Sequence, residues 1–287
     1  MIDDLVDREA IVKYIQERQN EDGGYTFCQG AESNAQDTYY ATETLRKLDA
    51  QPRNVKRTIT FMQSLQHTDG SFDSVKVAYY VATVLSRLGA GLTKPISNFA
   101  ESLRSLIGKF NNQEVYVEAS SEFETLYYTV ELLKKYGSLR NAIPLQKRLF
   151  EMQNSDGSFG DKRFSRIAST FYALKILKIL GCDVRRLHGV LRWIRQCEVP
   201  SGGFTAEPKI SPSFMVLEDT YYGVMALKVL NESCRHPKET LELIARFQNP
   251  NGGFRRSIFL GISDFESTYQ AVSVIKELLQ QMQVGFR

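Results

Sequence analysis

Cysteine is scarce and scattered in this chain. Four occur in 287 residues, at Cys28, Cys182, Cys197 and Cys234. They show neither the paired spacing of a metal site nor the density of a disulfide framework. Cys234 and His236 stand close together, but two donors in a loop make a poor metal site. No apolar run approaches the ~20 residues needed to cross a bilayer. The opening stretch, MIDDLVDREA, is acidic and lacks an apolar segment, so no signal peptide is expected and the chain reads as cytoplasmic. Charge of one sign is not in excess either. The net charge is +3, too weak to make nucleic acid the main partner. With 43% hydrophobic and 24% charged residues, the composition is that of a globular protein with a core to bury.

What the chain has in abundance is one turn. RQNEDGGYTF, LQHTDGSFDS, MQNSDGSFGD and FQNPNGGFRR are close copies, and QCEVPSGGFT is a looser one. Their aromatic residues, Tyr25, Phe72, Phe159, Phe204 and Phe254, are separated by 47, 87, 45 and 50 positions. The long step is two of about 43, which implies a decayed copy within GKFNNQEVYVEAS and six units in all. An amphipathic segment precedes each turn, REAIVKYIQERQ being the first, with apolar residues at helical spacing and charge opposite. A second helical segment follows each turn: DTYYATETLRKL, VAYYVATVLSRL, TLYYTVELLKKY, STFYALKILKIL, DTYYGVMALKVL and STYQAVSVIKEL. These begin with less charge and carry adjacent aromatics. Twelve alternating helices predict an all-α fold, an α6/α6 toroid of six helical hairpins spanning residues 1–287 as a single domain. In each turn the glycine is expected to supply the positive φ that ends the outer helix. Its aromatic is expected to fold back between helices, and the Gln or Asn to satisfy loose backbone groups.

The pattern Gln-x-x-(Asp/Asn)-Gly-(Gly/Ser)-(Phe/Tyr), repeated through a six-hairpin chain, resembles the protein prenyltransferase β subunits and the related squalene and terpene cyclases. The resemblance covers essentially the whole chain and implies a barrel whose lumen holds an isoprenoid or isoprenyl diphosphate. In the prenyltransferases a zinc ion is held by an Asp-x-Cys on one inner helix and a His on the next. LEDTYYG matches the first motif with Asp219 in the aspartate place and Tyr221 in the cysteine place. SDFESTYQ matches the second with Ser267 where histidine belongs. A lone carboxylate does not build a tetrahedral zinc site, so no metal or cofactor is expected and thiol prenylation loses its activating ion. The Asp-x-Asp-Asp motif with which the class II cyclases protonate an alkene is absent as well, which leaves enzymatic activity open.

Those two motifs set a register for the inner helices. The Asp219 column reads Asp37, Val77, Thr125, Ser169, Asp219, Ser267. Two residues on stand Tyr39, Tyr79, Tyr127, Phe171, Tyr221 and Tyr269, all aromatic in a chain that is 11% aromatic. This column is expected to line the lumen and contact a ligand. The next column, Tyr40, Tyr80, Tyr128, Tyr172, Tyr222 and Gln270, is read mainly as packing between helices, with Tyr172 kept as a candidate ligand contact. At the next turn come Glu43, Thr83, Glu131, Lys175, Met225 and Ser273. Glu43 and Glu131, with Asp219, are the candidate catalytic acids or bases; the alternative is an ion-paired barrel wall. A turn later Arg46, Lys134, Lys178, Lys228 and Lys276 complement helix dipoles. Arg166, Lys209 and Arg255 are the candidates for a diphosphate, since arginine forks suit phosphate. The acids at inner-helix starts, Asp37, Glu218, Asp219, Asp264 and Glu266, are read as caps rather than as a Mg²⁺ site.

The resulting expectation is an isoprenoid-binding toroid. The alternatives are a catalytically silent toroid that carries a lipid or docks a protein, and an α6/α6 glycoside hydrolase using paired carboxylates such as Glu43 and Glu131. The family's β subunits pair with a helical-repeat subunit, so such a protein partner fits either of the first two.

Overall fold

A computed structural model describes residues 5–111, 122–136, 139, 142–161 and 163–284. Apart from its first four residues, the expected decayed turn within GKFNNQEVYVEAS lies outside them. Six hairpins follow one another along the chain, each an outer helix and then an inner one. They are α1 (Arg8–Gln16) with α2 (Ala35–Lys47), α3 (Val55–Ser64) with α4 (Val75–Arg87), and α5 (Ser97–Asn111) with α6 (Glu122–Lys135). The second half has α7 (Ala142–Glu151) with α8 (Arg166–Ile179), α9 (His188–Cys197) with α10 (Leu217–Leu230), and α11 (Pro237–Ala245) with α12 (Phe265–Val284). Each even-numbered helix packs on the next, and α12 returns to α2, so the inner six form a closed ring with the odd-numbered helices outside. The fold is the all-α, α6/α6 toroid that the repeats imply. The inner helices α8 and α10 are buried on almost every face, as helices enclosed on all sides must be.

The turns hold neighbouring hairpins together. Gln19 donates to the Gly23 carbonyl (3.0 Å) and to Thr58 of α3 (2.8 Å), and accepts from the Asn54 N–H at the start of that helix (3.0 Å). Gln66, Gln153 and Gln248 repeat the bond to the turn glycine carbonyl, at Gly70, Gly157 and Gly252. Gln248 also accepts from the N–H of Asp7 (3.3 Å), which caps α1. The last turn therefore closes the ring onto the first helix. Each turn aromatic folds inward and is buried. The backbone N–H groups of Tyr25, Phe159, Phe204 and Phe254 donate to Thr38, Thr170, Thr220 and Thr268 at 3.0–3.2 Å. A threonine one residue before the aromatic column thus ties the turn to its inner helix.

The role expected for the glycine needs correction. The outer helices α1, α3 and α11 end on residues in ordinary right-handed conformation, Glu17, Leu65 and Arg246, and α9 on the extended Glu198; the positive-φ glycine comes several residues later. Its place is fixed by close approach. A Cβ on Gly23, Gly70, Gly202 or Gly252 would lie 2.2–2.4 Å from the backbone at the start of the next outer segment. Positive φ closes the inner helices instead. Asp49, Gly89, Gly181 and Asn231 stand there at φ 55–87°, and the following N–H bonds back to Leu45, Leu85, Leu177 and Leu227 at 2.8–2.9 Å. This is the Schellman arrangement, and it ends four inner helices at the same level.

Two alanine substitutions separate these effects. Gly30 also has positive φ (86°) but open space around its would-be Cβ, so Gly30→Ala should cost about 1–2 kcal/mol, the left-handed backbone term alone. Gly252→Ala adds a collision with the Ala10 carbonyl at 2.3 Å and should cost at least ~2 kcal/mol more. Urea unfolding midpoints of the two variants check the difference.

Candidate lumen site

The aromatic columns meet at the barrel axis. Tyr39, Tyr79, Tyr127, Phe171, Tyr221 and Tyr269 all border one cavity of about 510 Å³. Neighbouring rings touch around the circle: Tyr39 with Tyr79 at 5.9 Å between centroids, Tyr79 with Tyr127 at 5.9 Å, Phe171 with Tyr221 at 6.2 Å, Tyr221 with Tyr269 at 6.0 Å and Tyr269 with Tyr39 at 6.2 Å. Tyr172 bridges the one gap, standing 5.5 Å from Tyr127 and 5.3 Å from Phe171. The second column does not retreat into helix seams. Tyr40, Tyr128, Tyr172, Tyr222 and Gln270 reach the same cavity, because two adjacent residues on a narrow ring of helices both project rings far enough to meet. Tyr39 stacks on Tyr80 (4.5 Å, 22°) and Tyr79 lies over Tyr128 (4.5 Å). The lumen therefore holds a double aromatic layer at mid-height, a floor to the cavity rather than the wall of a through-tunnel. Burial, and then neighbouring phenols or carboxylates, raise the pKa of these hydroxyls, that of Tyr269 to about 12. They remain protonated donors at neutral pH.

Above the floor the cavity walls are the C-terminal halves of the inner helices. Glu43, Glu131, Lys175 and Lys228 border it, as do Arg87 and Lys135, which the register left unread because they lie one position past the basic column. Glu43 is buried and engaged by two arginines, Arg46 at 2.8 Å and Arg87 at 3.6 Å. Lys135 donates to the Ala82 carbonyl (2.6 Å), and Lys276 to the Lys47 carbonyl; both offset the negative end of a neighbouring helix. Lys228 pairs with Glu277. Lys175 lies 5.3 Å from the Tyr127 ring centre and Lys47 lies 5.1 Å from that of Tyr269. Burial lowers the pKa of both, opposed by Glu43 at Lys47 and Glu131 at Lys175 and aided by neighbouring cations, and brings Lys47 to about 8.

The opposite mouth, at the N-termini of the inner helices, is acidic. Glu266 accepts from Tyr40 (2.9 Å) and Gln36 (3.1 Å), and Glu124 accepts from Tyr128 (2.9 Å) and pairs with Lys76 (3.4 Å). Asp219 accepts from Ser165 (2.9 Å), and Glu218 pairs with Arg256 (2.8 Å). Asp264 accepts from the Ser267 N–H (2.6 Å), and Asp37 from Asn34 (2.9 Å) and the Phe27 N–H (3.1 Å). Burial raises the pKa of Asp219 to about 6 and of Glu266 to about 7, with Ser165 and Lys76 respectively opposing it.

Of the three acids singled out in the sequence, Glu43 and Glu131 share the cavity, whereas Asp219 lies at the other mouth. There it borders a separate hollow of about 510 Å³ together with Arg166. Arg166, Lys209 and Arg255 all lie outside the aromatic-floored cavity. Arg166 is tied to Asp156 (2.6 Å) and Glu207 (3.1 Å). Arg255 spends its guanidinium on Asn249 and on the carbonyls of Arg246, Ser257 and Ile258. Lys209 sits in an exposed loop at φ 70°.

The donors do not fit the family's zinc. Tyr221 is packed among Phe171, Tyr222 and Tyr269, Ser267 donates to Asp264 (2.8 Å), and no group of three His, Cys, Asp or Glu able to hold a metal occurs among the described residues. Cys234 is buried and donates to Glu198 (3.2 Å); burial, and then Glu198, push its pKa up to about 12. No helix among the described residues is long and apolar enough to cross a membrane.

The profile of the prenyltransferase alpha-alpha toroid domain matches residues 2–88, 96–211 and 142–285. The chain belongs to that family. No curated protein sequence matches it. Among solved structures it is similar to Candida albicans protein geranylgeranyltransferase-I complexed with GGPP, with 14% identity over 96% of this chain and 92% of that one, TM-score 0.65. It is also similar to the type II terpene cyclase MstE from Scytonema, with 14% identity over 96% and 97% of the two chains, TM-score 0.61. A substituted form of that cyclase in complex with geranylgeranyl dihydroxybenzoate aligns at 13% identity over 95% of both, TM-score 0.61. At such identity the toroid is the shared property, and the chemistry belongs to each site.

The acidic mouth makes stability depend on pH. A carboxyl with a raised folded pKa binds protons more tightly when folded, so its contribution is complete below the unfolded pKa and is lost as pH rises through the folded value. For Glu266 the window runs from its ordinary 4.5 to about 7. Wild type should lose on the order of 3 kcal/mol relative to Glu266→Gln between pH 5 and pH 8. Urea unfolding of both proteins at the two pH values measures it; parallel pH profiles would refute it.

Proposed function

We propose that this chain is a single toroid domain spanning residues 1–287 that binds an isoprenoid or isoprenyl diphosphate in the cavity over the tyrosine floor. The observation that carries this reading is the cavity itself: about 510 Å³, closed below by six aromatic rings drawn one from each inner helix. Such a volume suits a small-molecule ligand, and phenol faces suit a prenyl chain. Two of its structural neighbours were solved with geranylgeranyl compounds bound, which supports the same ligand class. Tyr39, Tyr79, Tyr127, Phe171, Tyr172, Tyr221 and Tyr269 are the contacts we assign to the apolar chain. If chemistry occurs, Glu131 is the acid or base best placed for it, since Glu43 is engaged by two arginines. That engagement also weakens the glycoside hydrolase reading. Four unpaired cysteines fit a reducing cytoplasm.

A second reading rests on Phe259, Leu260 and Ile262, which are 74%, 85% and 72% exposed in the loop before α12. An apolar tip of this kind fits docking of a protein partner, such as the helical-repeat subunit that the family resemblance implies.

A fluorescent geranylgeranyl diphosphate analogue tests the first reading. Binding is expected at micromolar Kd or tighter, roughly −8 kcal/mol, and Tyr127→Ala should weaken it by about tenfold or more while the surface-turn variant Asp69→Ala leaves it unchanged. Absence of binding to folded wild type, or equal losses in both variants, would overturn it.

A further inference from the structure

We propose that the mouth formed by the C-terminal ends of the inner helices is an anion site, which takes the phosphate or diphosphate head of an amphipathic ligand while its apolar part lies on the tyrosine floor. The tail of that ligand rests on the isoprenoid reading; the head does not. The inner helices carry nine basic residues in their last turns or just past the floor, Arg46 through Lys276, against three acidic ones. Six helix C-termini contribute roughly −0.5 each, so about half of the positive excess remains after the dipoles are offset. Individual residues agree with this count. Lys135 and Lys276 are consumed by backbone carbonyls and Lys228 by Glu277. Lys175 borders the cavity, half-buried, and forms no ion pair among the described residues; it lies over the Tyr127 ring, and Glu131 in the same wall favours its charge. Lys47 is likewise held over a ring, that of Tyr269, but it borders a separate hollow beside Lys276, and Glu43 favours its charge. Arg87, Lys135, Lys175 and Lys228 border the cavity over the tyrosine floor, against Glu43 and Glu131. Cations gathered around a cavity above a greasy floor are stabilised by an anion that sits between them.

The other mouth repels such a head. Asp219, Glu218, Glu124 and Glu266 crowd it, and the cations Arg256, Lys76 and Arg166 there are already paired. The ligand's charged end is therefore assigned to the mouth away from Asp219, with its tail directed inward onto the floor.

Calorimetric titration with inorganic diphosphate, geranylgeranyl diphosphate and geranylgeraniol tests the assignment on the full chain. Lys175→Gln should weaken both diphosphates about tenfold and leave the alcohol unchanged, with Lys175→Arg retaining most of the affinity. Arg256→Gln, at the opposite mouth, should change none of the three. Wild-type affinity for the diphosphates should fall with rising salt while that for the alcohol holds, a measurement that needs no variant. Diphosphate binding indifferent to Lys175 and to salt, or lost in Arg256→Gln instead, would overturn the site. If inorganic diphosphate binds through Lys175 and neither prenyl compound binds, the anion site stands and the isoprenoid reading falls. If the alcohol and the prenyl diphosphate bind equally and inorganic diphosphate does not, the lumen reading stands and the anion site falls.

Discussion

Closure of the ring is the constraint on which the rest depends. The turn glycines set the spacing between successive outer segments, because each lets backbone approach backbone to a distance no Cβ permits. The turn glutamines then fix that spacing with hydrogen bonds to the next helix start. The last of these turns brings Gln248 to Asp7 and Gly252 to Ala10, so the circumference leaves no slack. A fixed circumference sets the bore enclosed by the inner helices, and the bore decides what a tyrosine on the inner face does. In a wider barrel the two aromatic columns would line a tunnel. At this width they converge and touch.

That convergence makes the tyrosines structural and functional at once. Contacts between aromatic rings contribute about 0.5–1.5 kcal/mol each beyond burial, and here they run round the whole circle, so the floor braces the inner ring from within. The same packing leaves hydroxyls with few partners. Tyr172 and Tyr222 bond to each other at 3.0 Å and Tyr79 approaches Tyr127 at 3.4 Å, while the buried Tyr80 hydroxyl has no hydrogen-bond partner among the described residues. Phenols that stay protonated and meet at the axis separate an acidic mouth from a basic one.

Much of this was legible in the sequence. Four copies of the turn and an aromatic at one position of all six inner helices identify the toroid and the residues that border its cavity. Other features required geometry. The sequence marks Gly23 and Gly252 as special, but the reason lies in a neighbouring hairpin rather than in the helix they follow. The threonines Thr38, Thr170, Thr220 and Thr268 stand in plain register before the aromatics, yet their bond to the turn N–H is a contact across a dozen residues. Arg166 and Arg255 looked like phosphate ligands because local sequence does not reveal that Asp156, Glu207 and Asn249 already hold them.

Net charge concealed the most. A balance of +3 suggests no electrostatic character, and each basic residue near a helix end has a sufficient local explanation in the dipole. The explanation fails only when the six helices are parallel and their ends share one small space. Six parallel helices align six dipoles, and side chains that merely complemented them would leave both mouths near neutral. Instead Arg87, Lys135, Lys175 and Lys228 border the cavity at one end, while at the far end burial pushes up the pKa of Asp219 and Glu266. Charge has been separated along the barrel beyond what its backbone requires. A lumen that spends stability on that separation is one whose two ends differ in what they admit.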